Sequence, residues 1–217
     1  AKEEVQIKQM RVDPFGITGG ASLLDPDLPD DLYDADRTEL EARLGLLIEN
    51  YPQHLRETVP QLGATFTRAV LDLDEGRADK ALQALLILDD HAPLVNWERA
   101  RAAYALGDPK AAARAVHKFA KNAGGHFSMG QLHSGVFLAQ LTTEAGDLPA
   151  ALRTLRSVRH EDPSAGTFLF AQLLEANGDL AEAEAILGKM IKEHPRTMPL
   201  YKLAARIRLK GGHRIPA

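Results

Sequence analysis

The chain of 217 residues contains no cysteine, which excludes disulfide bonds, thiolate chemistry and any zinc site that uses sulfur ligands. Aromatic residues make up only 6% of the chain, and a sequence this poor in them favours close packing of helices over a β-sandwich. No apolar run approaches the ~20 residues that a transmembrane helix needs. We therefore expect a helical protein that does not itself span a membrane.

Strong positive charge is missing as well, because the formal net charge is -4 at pH 7. This balance argues against a nucleic-acid partner. Residues 1–50 carry twelve acidic and five basic side chains, whereas Glu193 is the single acid among eight basic residues from Lys189 onward. The two charged regions are consistent with mutual contact, with separate partners, or with plain solvated surfaces.

The first residues, Ala-Lys-Glu-Glu-Val, show neither the basic nor the apolar region of a signal peptide. We expect Ala1 to follow a removed initiator methionine and the protein to be cytoplasmic. The lack of cysteine fits the periplasm equally well, so a periplasmic location is the alternative.

The chain does contain a repeated glycine with an alanine five residues after it. The pairs are Gly76/Ala81, Gly107/Ala112, Gly146/Ala151 and Gly178/Ala183. These glycines lie 31, 39 and 32 residues apart, and Gly211 is a fifth candidate. Seven residues before each glycine stands another alanine: Ala69, Ala100, Ala139 and Ala171. A period of this length is typical of arrays of helical repeats.

Each unit can be written as helix A, a turn at the glycine, and helix B. The glycine permits the left-handed backbone of a helix C-terminus, and the alanines let the two helices approach closely. Prolines after three of the units are predicted to end helix B, and aspartates after three of the glycines to cap it. The residues are Pro93, Pro163, Pro195, Asp108, Asp147 and Asp179.

Larger apolar residues stand four and seven positions after each helix B alanine, on one helical face. They are predicted to fill the layer between helix pairs: Leu85, Leu88, Val116, Phe119, Leu155, Val158, Leu187 and Met190.

This arrangement over about residues 62–211 resembles the tetratricopeptide repeat. The resemblance implies an all-α fold, a right-handed superhelical solenoid of antiparallel helix pairs. Three features depart from the family pattern. A tryptophan stands near the family's position only in the second unit, as Trp97; alanine replaces the usual glycine on helix A; and Gly124 replaces the proline of the second unit.

We predict an irregular acidic extension at residues 1–35 and a helical repeat domain at 36–217. The domain should open with a helix capped by Asp36 and ending near Pro52. Four repeats follow at about 62–195, then a capping helix at about 198–210, where Arg206, Arg208 and Lys210 predict a polar outer face. We expect the extension to lie along the solenoid or on a partner, its aspartates near the basic residues after Lys189.

Signals of catalysis or of metal binding are weak. The eight histidines include no His-Glu-x-x-His motif, and no two of them are four residues apart. The Gly-Gly pairs lack the Lys-Ser/Thr of a phosphate loop, and no Gly-x-Ser-x-Gly motif occurs. We therefore expect no enzymatic activity, no catalytic residues, no metal and no cofactor.

A binding surface is the sharper hypothesis. In the family that the chain resembles, helix A lines the concave wall at positions ten, six and three before the turn glycine. The candidate groove residues are Phe66, Val70, Leu73, Trp97, Arg101, Tyr104, His133, Val136, Gln140, Phe168 and Gln172. Trp97, Arg101 and Tyr104 are four and three residues apart, which predicts one exposed stripe on a single helix. These residue types are enriched at interaction hot spots, so we expect the stripe to bind the partner.

One alternative and one exclusion concern the groove residues. Phe66, Val70 and Phe168 could simply pack between helix pairs. Some family members hold the C-terminal carboxylate of chaperones with a lysine and an asparagine on the first helix A. Here Phe66 and Val70 stand in the first unit instead, so the resemblance does not extend to that ligand.

The sequence therefore predicts a non-catalytic scaffold or adaptor subunit of a larger, multi-subunit assembly. Its partner would be a protein or peptide, with a polypeptide segment bound in the concave groove. A chaperone for a secretion or pilus-type subunit is the first alternative. An enzyme or metal protein built on helical hairpins is the second, and only the scattered histidines favour it.

Overall fold

The computed structural model describes residues 34–212, with side chains from residue 38 onward. The chain divides into two compact units, Ala1–Gln131 and Leu132–Ala217. Almost all of the predicted extension at residues 1–35, with the position expected for its aspartates, lies outside the described residues.

The described part of unit 1 contains six helices and a two-residue strand. They are α1 (Asp34–Glu49), α2 (Gln53–Arg56), α3 (Val59–Asp74), α4 (Ala78–Leu86), α5 (Pro93–Ala105), α6 (Pro109–Ala123) and β1 (Ser128–Met129). Helix α1 ends before Pro52 as predicted, but it begins at Asp34, so the expected cap, Asp36, lies inside the helix. Gly63 interrupts α3 with φ 75°.

Unit 2 begins with a two-residue strand, and five helices follow in its described part. They are β2 (Leu132–His133), α7 (Ser134–Glu144), α8 (Leu148–Glu161), α9 (Thr167–Asn177), α10 (Leu180–Glu193) and α11 (Met198–Lys210). In both units helices A and B alternate, as α3/α4, α5/α6, α7/α8 and α9/α10. The predicted all-α helical-repeat fold is confirmed.

The four repeat glycines make the turn from helix A to helix B. Their φ angles are 78°, 79°, 90° and 92° in chain order, in the left-handed region that a side chain disfavours. Asp108 and Asp147 cap the next helix as predicted, accepting from the backbone N–H of Ala111 at 2.8 Å and of Ala150 at 3.0 Å. The cap predicted for Asp179 is wrong, because its carboxylate accepts from the Asn177 side-chain amide instead.

The prolines behave in two ways. Pro163 and Pro195 each stand two residues after the end of helix B, as predicted. Pro93 does not end helix B, because α4 stops earlier, at Leu86, and Pro93 is the first residue of α5. A proline is well tolerated at that position, where its missing N–H would have no helical partner.

The helix interfaces are built on the predicted alanines. All eight alanines of the repeat pattern are fully buried: Ala69, Ala81, Ala100, Ala112, Ala139, Ala151, Ala171 and Ala183. Larger residues of the predicted layer, such as Leu85, Val116, Phe119 and Leu155, are also fully buried. Small residues therefore set the spacing within each pair, and large ones fill the layer beside it.

The last helix, α11, has a mixed surface, on which the predicted basic residues Arg206, Arg208 and Lys210 are exposed. Arg206 and Lys210 turn sideways to the carboxylate of Glu175, and Arg208 turns to Glu184. The side opposite the buried residues exposes Lys202 together with large apolar groups: Met198 at 65%, Tyr201 at 42% and Leu209 at 62%.

Candidate functional site

Three of the predicted groove residues of unit 1 are buried. Phe66 and Val70 are fully enclosed, in agreement with the alternative that they pack between helices. Trp97 is only 3% exposed and packs on Phe119 of α6, with ring centroids 5.6 Å apart. The prediction that Trp97 is exposed is therefore wrong, because its ring belongs to the interface between the two helices of the second pair.

The accessible part of the predicted stripe on α5 consists of Arg101 and Tyr104. The side chain of Arg101 is 36% exposed and Tyr104 is 38% exposed, one turn further along the helix. Leu73 of α3 is half-buried. The stripe thus divides into a buried tryptophan and a surface pair of arginine and tyrosine.

A buried carboxylate holds Arg101 in place. Glu98 is fully buried, and its Oε2 accepts a hydrogen bond from Arg101 Nη1 at 2.7 Å. Its Oε1 accepts from the Tyr51 hydroxyl at 2.8 Å. Both oxygens of the buried carboxylate are therefore satisfied, as burial of a charged group requires.

The pKa values of all three residues in this cluster are raised. Burial raises the pKa of Glu98, although Arg101 and Tyr51 act against the shift. Burial, with the neighbouring Glu98 carboxylate, raises the pKa of Tyr51 well above its usual value. The Glu98 carboxylate also raises the pKa of Arg101, so this guanidinium keeps its charge.

Sequence reasoning missed Glu98 and Tyr51. Glu98 stands three residues before Arg101, a spacing that pairs side chains on a helix surface, and this signal was available. No such signal indicated Tyr51, because this residue belongs to the segment between α1 and α2, before the repeats begin.

The predicted groove residues of unit 2 are all half-buried. Val136 and Gln140 share one stripe of α7, and Phe168 and Gln172 share one stripe of α9. The Gln140 amide donates to Glu144 Oε1 at 3.0 Å. His133 caps α7, where its Nδ1 accepts from the Gly135 backbone N–H at 3.2 Å, and burial lowers its pKa.

The described residues contain neither a group of metal ligands nor a helix that could span a membrane. Between residues 34 and 212, no three histidine, aspartate or glutamate side chains form a group that could hold a metal ion. Over the same range, every helix is too short or too polar to cross a membrane. The cellular compartment remains a prediction.

Helix pairs with small residues at each interface define a helical-repeat protein. Two family models, both described as tetratricopeptide repeat, match residues 142–207 and 94–118. The matched segments are therefore tetratricopeptide repeats, which confirms the predicted resemblance, and repeats of this family support a role in protein–protein interaction. A comparison with curated proteins found no match.

Proposed function

We propose that this chain is a non-catalytic adaptor subunit of a larger assembly, and that each of its two units binds a polypeptide segment of the partner along the accessible edges of its own A helices. In unit 1 the binding residues are Leu73, Arg101 and Tyr104. In unit 2 they are Val136, Gln140, Phe168 and Gln172.

The observation that carries this proposal is the fixed position of Arg101. Its guanidinium is anchored on Glu98, which is itself held by Tyr51, while part of the side chain stays at the surface. An arginine that is ordered before binding loses little conformational entropy when a partner docks. Its planar donors suit a carbonyl or carboxylate oxygen of a polypeptide and give the bound segment a direction.

Tyr104 supplies the apolar contact beside this arginine. A tyrosine offers a large, rigid face with only two rotatable side-chain bonds, and tyrosine and arginine are both enriched among the residues that dominate binding energy. Because both residues lie on α5, their relative position is set by one helix rather than by a loop.

The half-buried stripes of unit 2 support the same reading. On both α7 and α9 an apolar residue is followed one turn later by a glutamine, as Val136/Gln140 and Phe168/Gln172. The apolar member can contact a side chain of the segment. The amide can donate to and accept from its main chain.

The test begins with capture of the partner by the full chain from its native host, with identification by mass spectrometry. Affinity for the purified partner is then measured by calorimetry for a double variant, Arg101→Lys with Tyr104→Ala. Lysine is preferred to alanine at residue 101 because removing the cation would leave Glu98 buried without its ion pair. We expect binding to weaken by roughly 1–3 kcal/mol.

Matched controls are Arg114→Lys and Tyr201→Ala, which change the same residue types at exposed positions on other helices. The double variant should melt close to the parent. Unchanged affinity of the double variant, with both controls also unchanged, would show that the partner does not use this face of α5.

A further inference from the structure

Unit 2 contains a partly open cavity of about 680 Å³ that sequence reasoning did not anticipate. Its wall is formed by the end of α8, the turn after it, the first turn of α9 and the last turns of α10. This volume lies within the range of cavities that hold small ligands or single large side chains, about 300–1,000 Å³.

Arg159 provides the charged end of the cavity. Its Nη1 donates to the backbone carbonyl of Ala165 at 3.2 Å and to the hydroxyl of Thr167 at 2.6 Å. The guanidinium also lies over the ring of Phe170, with its central carbon 5.1 Å from the ring centroid. A carbonyl, a hydroxyl and an aromatic face therefore fix its position.

These partners are all neutral. Within residues 38–212, no carboxylate lies at ion-pair distance from Arg159, whereas Arg99, which is more deeply buried, is paired with Asp90. The nearby Asp162 instead accepts from the backbone N–H and hydroxyl of Ser164. Burial lowers the pKa of Arg159, as expected for a cation whose charge is only weakly compensated.

The remaining wall is mixed: the half-buried Phe168, Ile186 and Met190 form an apolar part, and Ser164, Thr167 and His194 also line the cavity. Lys189 stands in the wall as a second, exposed cation, and Glu193 is the single acid that lines the cavity. The charges and the apolar wall together suit a ligand that presents a carboxylate beside a large apolar group.

We propose that this cavity binds a carboxylate together with the adjacent large apolar side chain of a partner polypeptide. The carboxylate is paired with Arg159 and Lys189, and the apolar side chain packs on Phe168, Ile186 and Met190. The choice of a polypeptide as ligand rests on the proposed function. The carboxylate is either the C-terminus of the partner or an Asp or Glu side chain.

The experiment is an NMR titration of the isotope-labelled full chain with three synthetic peptides. They are N-acetyl-Leu-Phe with a free C-terminal carboxylate, the same peptide as its carboxamide, and N-acetyl-Asp-Leu-Phe carboxamide. We expect the first or the third to shift the backbone amides of residues 164–169 and 186–194, and the second to bind several-fold more weakly. Which acidic peptide binds distinguishes a terminal from a side-chain carboxylate.

Charge-reversal variants on one helix make the assignment specific. Lys189→Glu should weaken binding of the acidic peptide by about fivefold or more, because a nearby attraction becomes a repulsion. Lys192→Glu makes the same change three residues later, at an exposed position outside the cavity wall, and should have little effect. Neither variant removes a hydrogen bond of the fold, unlike a change at Arg159.

Equal binding of the acid and amide peptides, equal effects of the two lysine variants, or no shifts from any peptide at millimolar concentration would overturn this assignment. If no peptide binds at the cavity while the Arg101 and Tyr104 variants still weaken binding of the partner, only the cavity proposal is contradicted. The proposed function fails separately, through the Arg101 and Tyr104 variants.

Discussion

Alanine side chains decide how closely the helices of each pair can pack. Ala139 and Ala171 lie fully buried on α7 and α9, where a larger side chain has no room. We expect Ala139→Leu and Ala171→Leu each to lower the free energy of unfolding by about 1–3 kcal/mol, because the added methyl groups must displace a neighbouring helix. Urea denaturation followed by circular dichroism measures the change.

The matched control for this substitution is Ala176→Leu, since Ala176 is exposed on α9, five residues after Ala171. It should leave stability within a few tenths of a kcal/mol, as surface substitutions usually do. If all three leucine variants were as stable as the parent, the alanines would not be the contact points between helices.

Tyr51 provides a second test at the level of single residues. Burial raises its pKa well above the usual value of about 10, so the folded protein keeps this proton at a pH where the unfolded chain loses it. The stability that this tyrosine contributes is therefore complete below pH ~10 and falls as the pH rises above it. Absorbance at 295 nm should show one tyrosine of the four that ionises only on unfolding.

Tyr51→Phe is the control for that titration. The resistant tyrosine should then disappear from the curve while the others titrate as before. The variant should also lose about 1–3 kcal/mol of stability, because Glu98 loses a hydrogen bond in a buried position. A resistant tyrosine that persisted in this variant would belong to a different residue.

Among the helices, α11 is held to α9 by a buried carboxylate. Glu175 pairs with Lys210 Nζ at 2.5 Å and Arg206 Nη2 at 2.9 Å, and these two cations lower its pKa. Glu175→Gln should cost about 1 kcal/mol at neutral pH, at the low end for charged hydrogen bonds because both cations are half-exposed.

The pH dependence of this contact has a defined sign. A carboxyl with a lowered pKa in the folded state stabilises the fold above its unfolded pKa of about 4.3, and the contribution is lost as the pH falls through the folded value. The difference in melting temperature between Glu175→Gln and the parent should therefore shrink in acid. Glu184→Gln, which breaks the more exposed pair with Arg208, should give almost no difference at either pH.

For the molecule as a whole, the sequence predicts the repeat better than it predicts the surface. The spacing of glycine and alanine is a local pattern, and it identified the turns at Gly76 and Gly146 and the buried contacts at Ala139 and Ala171. Such positions face the other helix of the same pair, so helical periodicity alone determines them.

Features that depend on distant segments could not be predicted in the same way. Trp97 is buried because Phe119 of the next helix packs on it, and Glu98 is buried beneath Tyr51, which precedes the repeats. The wall of the cavity combines Arg159 and Lys189, which lie thirty residues apart on different helices. The repeat period of the sequence does not predict these contacts, because they depend on the size and direction of side chains in neighbouring elements.

The apolar outer side of α11 bears on how a repeat protein acquires its length. A closed core has no place for another element, because every apolar side is already covered. Here Met198 and Leu209 expose apolar surface beside Lys202 on the far side of α11, opposite the buried Leu203 and Ile207. Duplication of a helix pair could therefore extend the array at this side without rebuilding the helices that precede it.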